Sequence, residues 1–378
     1  MVSGFVAQGG SVGIVGLGLI GGSLARALQA AAVPVVATDP SSAEEARAAG
    51  LSVTEDIAGL AVHRPEIVVL AAPLRAMRTV AGELAEALAG EPGWDPTVTD
   101  VGSVKAPVRE AVADAGLGDR YVGAHPMSGT ERSGFEASSA ELMQGIPWAV
   151  TCAAAEAGVA GTDPVRLERV LRLVTGPLGG TAAVLTDELH DEAAALVSHV
   201  PHVLANQLLG VVAGAPVRDL ALGLAAGSFR DGTRVGLTDP RRTEAMVTEN
   251  AAWVAPVLRL AARDLERLAD ALDSNAPTHW FFDRPDSVRE QIGRPGGTRV
   301  TGLHPGDGAR GGGSMGAGSG AGSRGGAADA GVGPGGAGGF GSDVESVPLT
   351  GDWPAELVAR CAAGAVVLGL EDGKALLR

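Results

Sequence analysis

The stretch Ser11-Val-Gly-Ile-Val-Gly-Leu-Gly-Leu-Ile-Gly-Gly-Ser23 determines how the first part of the chain is interpreted. Its apolar run from Ser11 to Val15 predicts a buried strand, and a helical run from Leu24 to Ala32 follows the glycines. The glycines have the spacing G-x-G-x-x-G, which allows a tight turn, close approach of a pyrophosphate and close packing of helix on strand. Free N–H groups at the helix amino terminus favour phosphate binding. The residues expected to contact a dinucleotide are Gly16, Leu17, Gly18, Leu19, Ile20 and Gly21.

Asp39 is the candidate ribose-binding residue. It ends a second predicted strand, Val33 to Thr38, and lies about 20 residues beyond the glycines. A carboxylate at this place favours a free 2′-hydroxyl and repels a 2′-phosphate. The sequence therefore predicts NAD, rather than NADP, as the cofactor.

Strands and helices alternate over the first 186 residues, which is typical of a doubly wound parallel sheet. Predicted helices cover Ser41 to Gly50, Leu74 to Ala89 and Pro164 to Val174. The further predicted strands are Glu66 to Ala71, Thr97 to Val101, Tyr121 to Ala124, Trp148 to Cys152 and Thr181 to Leu185. We therefore predict an α/β Rossmann-type dinucleotide-binding domain over residues 1–186.

Residues 187–294 show helical periodicity without strands and predict an all-α domain. A helix over Asp187 to Val212 would kink at Pro201. Its periodicity places Asp191, Ser198 and His202 on one face and points His199 elsewhere. A metal site is the alternative for the histidine pair, but no third ligand of suitable spacing is evident, so none is expected.

The segment Ala226 to Arg234 interrupts the helices with glycines and predicts a loop. Arginines in such a loop can grip a carboxylate with their planar guanidinium groups. Two further helices are expected, Arg241 to Trp253 and Ala255 to Asp273.

Residues 295–343 are rich in Gly, Ala and Ser and predict a flexible linker. Residues 344–378 regain the pattern of a strand and a helix, but they are too few for an independent domain, and no role is assigned to them. We therefore expect that a chain cut near residue 294 stays folded, dimeric and active.

Composition excludes several classes of protein. The 378 residues carry a net charge of −15 and only 3% aromatic residues, which argues against nucleic-acid binding. No unbroken apolar run reaches the ~18 residues of a membrane span, and the first ten residues do not form a signal peptide. Cys152 and Cys361 are the only cysteines, so a cytoplasmic protein is the simplest interpretation. An anionic substrate would need local arginines to overcome the general negative field.

Two polar motifs follow predicted strands. Ser103 can cap the next helix, whereas Lys105 would lie in the first turn against the helix dipole, which suggests an anionic neighbour. His125 ends an apolar run, where the carboxyl end of a parallel strand delivers a side chain to a crevice. Its ordinary pKa near ~6.5 suits a general base, although a histidine before a proline is also a common turn residue.

The order of these motifs resembles the prephenate/arogenate dehydrogenase family of tyrosine biosynthesis. The resemblance covers about Ser11 to Asp273 and rests on the glycine block and four others. These are Asp100-Val-Gly-Ser-Val-Lys105, Gly123-Ala-His-Pro-Met-Ser-Gly-Thr-Glu131, His190-Asp191 with Ser198-His-Val-Pro-His202, and Phe229-Arg-Asp-Gly-Thr-Arg234 with Thr238-Asp-Pro240. It implies an amino-terminal NAD domain and a helical domain that forms a homodimer.

The resemblance also implies roles for single residues. His125 would accept the proton of the substrate's C4-hydroxyl, and Ser103 would hydrogen-bond near that hydroxyl and the nicotinamide. The substrate would be held by Ser198, His202 and Arg234, with Arg234 at a carboxylate. Glu131 and Asp191 would line or gate the pocket, and Lys105 would support the anion.

Several alternatives stay open at this point. The substrate is either prephenate, oxidised and decarboxylated to 4-hydroxyphenylpyruvate, or arogenate, which gives tyrosine directly. A β-hydroxyacid dehydrogenase or imine-reductase relative is the rival enzyme, and a non-catalytic NAD sensor is the rival class. The first long helix of the second domain has no lysine, which weighs against the rival enzyme.

The chain departs from the family pattern in two places. Some relatives carry a tryptophan shortly after the Asp-Pro pair, whereas this chain has Arg241-Arg242-Thr243 there. Some also end in a ligand-sensing ACT domain, whose opening strand and helix resemble Val347 to Arg360, but the chain ends too early for a whole one.

Overall fold

A computed structural model describes residues 10–130, 132–153, 161–293 and 344–378. The chain divides into one unit of residues 1–281 with 345–378 and a second of residues 282–344, in which the helix Asp286–Gly293 is described. The predicted linker, 295–343, lies outside the described residues. The predicted boundary at residue 186 stays a prediction.

A five-stranded sheet forms the centre of the first half of the chain. Its strands are β1 (Val12–Val15), β2 (Val35–Thr38), β3 (Val53–Thr54), β4 (Ile67–Leu70) and β5 (Thr97–Asp100). The helices between and after them are α1 (Leu19–Ala30), α2 (Ala43–Ala48), α3 (Ile57–Val62), α4 (Met77–Gly90) and α5 (Ala106–Asp114). The strand order is β3-β2-β1-β4-β5 and every pairing is parallel, which confirms the predicted Rossmann-type fold.

The later strands do not extend this sheet. They are β6 (Gly123–Pro126), β7 (Pro147–Thr151) and β8 (Thr181–Leu185), with helix α6 (Pro164–Thr175) before β8. They belong to a second, mixed sheet in which β6 is antiparallel to β7, so the expected parallel strand that ends at His125 is wrong in its pairing. An isolated parallel bridge, Val98 with Tyr121, joins the two sheets.

The last segment of the chain completes the second sheet. It comprises β9 (Glu345–Pro348), α15 (Trp353–Ala362), β10 (Val367–Glu371) and β11 (Lys374–Leu377). The sheet order is β6-β7-β8-β10-β11-β9, with Val367 paired to Ala182 of β8. Its apolar side chains share one core with α1 and α6, which argues against the expectation of a dispensable tail. The physical reason is that βαββ segments too small to fold alone are stabilised by packing on an existing sheet.

The helical part begins with α7 (Asp187–Ala194), the π-helical turn Ala195–His199 and α8 (Val200–Ala213). It continues with α9 (Arg218–Gly223), α10 (Gly227–Thr233), the 3₁₀ turn Arg234–Leu237, α11 (Pro240–Glu249), α12 (Ala251–Asp273), α13 (His279–Asp283) and α14 (Asp286–Gly293). The predicted loop at Ala226 to Arg234 is therefore wrong, because most of it is the short helix α10. The backbone change expected at Pro201 is present as a π turn just before it.

The continuous helical stretch Asp187–Ala213 is, by length and composition, able to cross a membrane. Its polar residues Asp187, His190 and Asp191 are nevertheless buried inside the protein. Leu204, Leu208 and other apolar side chains further along it are exposed. We interpret it as a core helix with an exposed apolar face.

Candidate active site

The glycine loop has the geometry that a dinucleotide needs. Gly16 has a φ of +103°, and a Cβ at Gly21 would lie 2.0 Å from the Gly16 carbonyl oxygen, so both positions require glycine. At Gly18, by contrast, a Cβ would meet nothing within 4 Å, because that face is open. Helix α1 has no side-chain cap and no acidic residue in its first turn, so its amino terminus can receive a phosphate.

The carboxylate of Asp39 lies beside this loop. Its Oδ2 accepts the N–H of Leu17 at 2.7 Å, and its Oδ1 accepts the N–H groups of Ser41 and Ser42 at 2.7 and 2.8 Å. These bonds fix the carboxylate and leave Oδ2 with a free lone pair for a ribose hydroxyl. The loop and Asp39 therefore fit NAD.

A buried cluster around Asp100 attaches the strand that carries His125. Asp100, the last residue of β5, accepts the Tyr121 hydroxyl at 2.8 Å and the Ala124 N–H at 3.1 Å. The Lys105 ammonium pairs with Asp100 and donates to the Ala124 carbonyl at 2.8 Å. His125 is thereby held at the carboxyl end of β5, at the edge of the parallel sheet.

The predicted substrate role of Lys105 is wrong. The Lys105 side chain is fully buried, and its ammonium is paired beneath His125. Its anionic neighbour is Asp100, which the sequence places five residues earlier. Lys105 therefore positions the site and cannot reach a substrate in the cleft.

Asp191 also has a different role from the predicted one. It is 2% exposed, and its carboxylate accepts the N–H groups of Lys105 and Ala106 at 2.8 and 3.0 Å. These N–H groups begin α5, so Asp191 caps that helix from α7 and does not line the cleft. Ser103 does not cap the helix as expected; it lies partly exposed in the turn between β5 and α5.

Asp191 also orients His125 through His190. His190 Nδ1 lies 2.7 Å from Asp191 Oδ1, and His190 Nε2 lies 3.0 Å from His125 Nδ1. A carboxylate only accepts, so His190 carries its proton on Nδ1 and accepts at Nε2. His125 must then donate from Nδ1. The lone pair of neutral His125 is therefore on Nε2, ready to accept a proton.

The surroundings of His125 favour its neutral form. Burial, followed by the charges of His190, Lys105, His199 and Arg242, holds its pKa well below 6.5. His125 therefore stays uncharged at neutral pH, as a general base must be.

The other predicted substrate residues lie on the helical side. His202 Nδ1 lies 2.9 Å from the Ser198 carbonyl oxygen, and both residues are partly exposed. Burial is the main cause that lowers the pKa of His202. The hydrogen bond to Ser198 opposes this effect, and the charges of Arg242 and Arg234 add to it. Arg234 is exposed and begins the 3₁₀ turn after α10. Glu131 lies outside the described residues.

Two buried residues were not foreseen as part of this region. The amide of Asn250 donates to the Asp191 carbonyl oxygen at 2.8 Å and lies 2.9 Å from His199 Nδ1. Burial, chiefly, lowers the His199 pKa to about 4, so this ring is neutral and supports the helix from within. Asn250 gives no signal in the sequence, because it is a single amide inside the predicted helix Arg241 to Trp253.

Taken together, these features define a dinucleotide-dependent oxidoreductase whose cleft holds a neutral histidine and arginines. Comparison with known proteins narrows the class. The family models of the prephenate dehydrogenase nucleotide-binding domain and dimerization domain match residues 24–179 and 186–281. Cyclohexadienyl dehydrogenase of Zymomonas mobilis is 37% identical over 271 residues, which cover 70% of this chain and 88% of that protein. The chain belongs to the prephenate dehydrogenase family.

Solved structures agree. Prephenate dehydrogenase from A. aeolicus, in complex with hydroxyphenyl propionate and NAD+, has a TM-score of 0.65 and 30% identity, covering 75% of this chain and 98% of that one. Synechocystis arogenate dehydrogenase has a TM-score of 0.61 and 27% identity, covering 75% and 99%. The predicted family, fold, enzyme class and NAD cofactor are confirmed. These matches argue against the two alternatives, a non-catalytic NAD sensor and a β-hydroxyacid dehydrogenase or imine-reductase relative.

Proposed function

We propose that the chain catalyses the NAD-dependent oxidative decarboxylation of prephenate to 4-hydroxyphenylpyruvate, with His125 as general base. The observation that carries the proposal is the Asp191–His190–His125 chain, which leaves the His125 Nε2 lone pair free. Arogenate dehydrogenation is the alternative, since the reacting ring is the same in both substrates.

His125 acts on the hydroxyl of the reacting ring carbon. NAD, when bound, accepts a hydride from that carbon. His125 Nε2 takes the hydroxyl proton as the carbon becomes a carbonyl, which a positioned base accelerates by roughly 10²–10⁴-fold. The bond to the ring carboxylate then breaks, carbon dioxide leaves, and the electron pair enters the ring. The carbonyl oxygen recovers the proton from His125 as the aromatic phenol forms.

The remaining groups bind and orient. We propose that Arg234, Ser198 and His202 hold the substrate, with the guanidinium at a carboxylate, and that Ser103 hydrogen-bonds near the hydroxyl. Support comes from the exposed guanidinium and from the effect of its charge on the His202 pKa. We expect the fixed carboxylate of Asp39 to make kcat/KM higher with NAD than with NADP.

We also propose a homodimer formed through the helical domain. The matched dimerization domain supports it, as do the exposed apolar residues Leu204, Leu208 and Val211 at helical spacing on α8. A solution mass of two chains tests this proposal. The cytoplasmic location and the absence of membrane and nucleic-acid partners stay predictions.

The test is a side-by-side NAD-reduction assay with prephenate and arogenate, using the wild type, His125→Asn and a matched control, His63→Asn. His63 is exposed at the end of α3. Asn keeps the size of His125 but cannot take the proton, so kcat should fall by about 10² or more while NAD affinity is kept. Near-normal kcat in His125→Asn would show that another group is the base.

A further inference from the structure

Arg242 lies in helix α11, where this chain departs from the pattern of some relatives. The helix is capped by Asp239, whose Oδ1 accepts the Arg241 N–H at 2.8 Å. An ion pair of 3.3 Å between Arg75 and Glu244 joins it to the segment after β4, at the carboxyl edge of the parallel sheet. Helix α11 therefore lies at the same edge of the sheet as the carboxyl ends of β4 and β5.

The Arg242 guanidinium approaches the loop that follows His125. A methyl group at Gly129 would lie 3.7 Å from its Nη2. Its positive charge acts on His125 of β6 and on His202 of α8. Arg242 therefore lies near both histidines that the proposed function places at the substrate.

The charge of Asp239 favours the cationic form of Arg242, but no carboxylate of the described residues forms an ion pair with Arg242 or Arg234. Most arginines of the first 186 residues do form ion pairs. Both are exposed. Two unpaired guanidinium groups beside two histidines that favour the neutral form leave an excess of positive charge, which a dianion complements.

We propose that Arg242 is a specificity-determining residue that binds the side-chain carboxylate of the substrate and favours the keto acid over the amino acid. This inference rests on the proposed function. Prephenate and arogenate share the ring hydroxyl and both carboxylates, and they differ in a keto group against an ammonium group. A guanidinium near the side chain repels that ammonium, so prephenate gains more from Arg242 than arogenate does.

The test compares Arg242→Met, Arg242→Lys and the control Arg241→Met with the wild type on both substrates. Met keeps most of the side-chain length without the charge, and Arg241→Met removes the same charge one residue away. Arg242→Met should raise KM for prephenate by about 10-fold and that for arogenate less, so the kcat/KM ratio of the two falls. Arg242→Lys should recover part of the ratio, and Arg241→Met should leave it unchanged.

A second readout separates a charge effect from a structural one. The ionisable groups that lower the pKa of His125, besides burial, are His190, Lys105, His199 and Arg242. Loss of Arg242 removes one of them, so the acidic limb of the prephenate kcat/KM profile should move to higher pH. The inference would be overturned if Arg242→Met left unchanged both the ratio of kcat/KM for prephenate to that for arogenate and the pH position of the acidic limb.

Binding of the reaction products tests the role of Arg242 without relying on catalysis. Arg242→Met should weaken the binding of 4-hydroxyphenylpyruvate by about 10-fold and that of tyrosine less, measured by quenching of tryptophan fluorescence. Equal effects on the two ligands, or none, would overturn the role of Arg242. Failure of the wild type to oxidise either substrate would instead contradict the proposed function, and the binding comparison would still decide the inference.

Discussion

At the scale of the residue, the pKa of His125 sets the pH range of catalysis. An ordinary histidine would give an acidic limb near pH ~6.5. In the folded chain burial and neighbouring cations lower the His125 pKa, so the base stays neutral to a lower pH. The kcat/KM of the free enzyme should therefore fall only as the pH drops through a value below 6.5.

His190 should act as a positioning residue for His125. Replacement with Phe keeps an aromatic ring in a site that is 2% exposed but removes the acceptor for His125 Nδ1. The proton of His125 can then move to Nε2, which is the wrong tautomer for a base. We expect kcat to fall by about 10- to 10²-fold.

His190→Gln offers a side-chain oxygen as acceptor and should restore part of the lost kcat. The acidic limb should move to higher pH in His190→Phe, because His190 otherwise lowers the pKa of His125. If His190→Phe and His190→Gln have the same kcat and the same apparent pKa for the acidic limb, the positioning role is contradicted. NAD affinity serves as the control for the fold.

At the scale of the element, the π turn Ala195–His199 sets the register between α7 and α8. A π turn contains one residue more than the corresponding α-helical path. It decides how His190 and Asp191, before the turn, are aligned with Ser198 and His202 in and after it. Pro201 follows the turn and cannot donate a backbone hydrogen bond.

Deletion of Val197 should therefore impair catalysis more than folding. Val197 is 73% exposed and contributes little to the core. Its loss would convert the π turn to the shorter α-helical path, which would keep α8 in register with α7 but displace Ser198, which lies within the turn. We expect kcat/KM to fall by about 10² or more, with the far-ultraviolet circular dichroism kept. Val197→Ala is the control and should remain active.

The sequence predicted the elements whose signals are local. The glycine loop, Asp39, β1 and β8 were found because an apolar run or a fixed spacing marks them. The helix α3 was missed because its six residues, all apolar or glycine, show no helical periodicity. The partners of His125 could be grouped only in part, because Asp100, Lys105 and Asp191 meet through contacts as far as 86 residues apart. Nothing local shows that Lys105 is buried.

At the scale of the whole molecule, the second sheet combines strands from the middle of the chain with strands from its last segment. Strand β8 would be an edge without β10, and unpaired edges favour aggregation. The side chains of the last segment that are buried in the shared core are Val347, Trp353, Leu357, Cys361, Val367, Ala375 and Leu377. No pattern in the sequence assigns these strands to β8, because the pairing spans nearly 200 residues of chain.

A chain that ends at residue 294 should therefore lose stability, contrary to the expectation of a dispensable tail. A milder test is Leu357→Ala, since Leu357 has no exposed surface and a buried leucine contributes about 2–5 kcal/mol to the free energy of unfolding. The control is Lys374→Ala in the same sheet, because Lys374 is exposed. Urea unfolding followed by tryptophan fluorescence should show a lower midpoint for Leu357→Ala and no change for the control. If the truncated chain is soluble and unfolds at the wild-type midpoint, residues 345–378 do not stabilise the nucleotide-binding half.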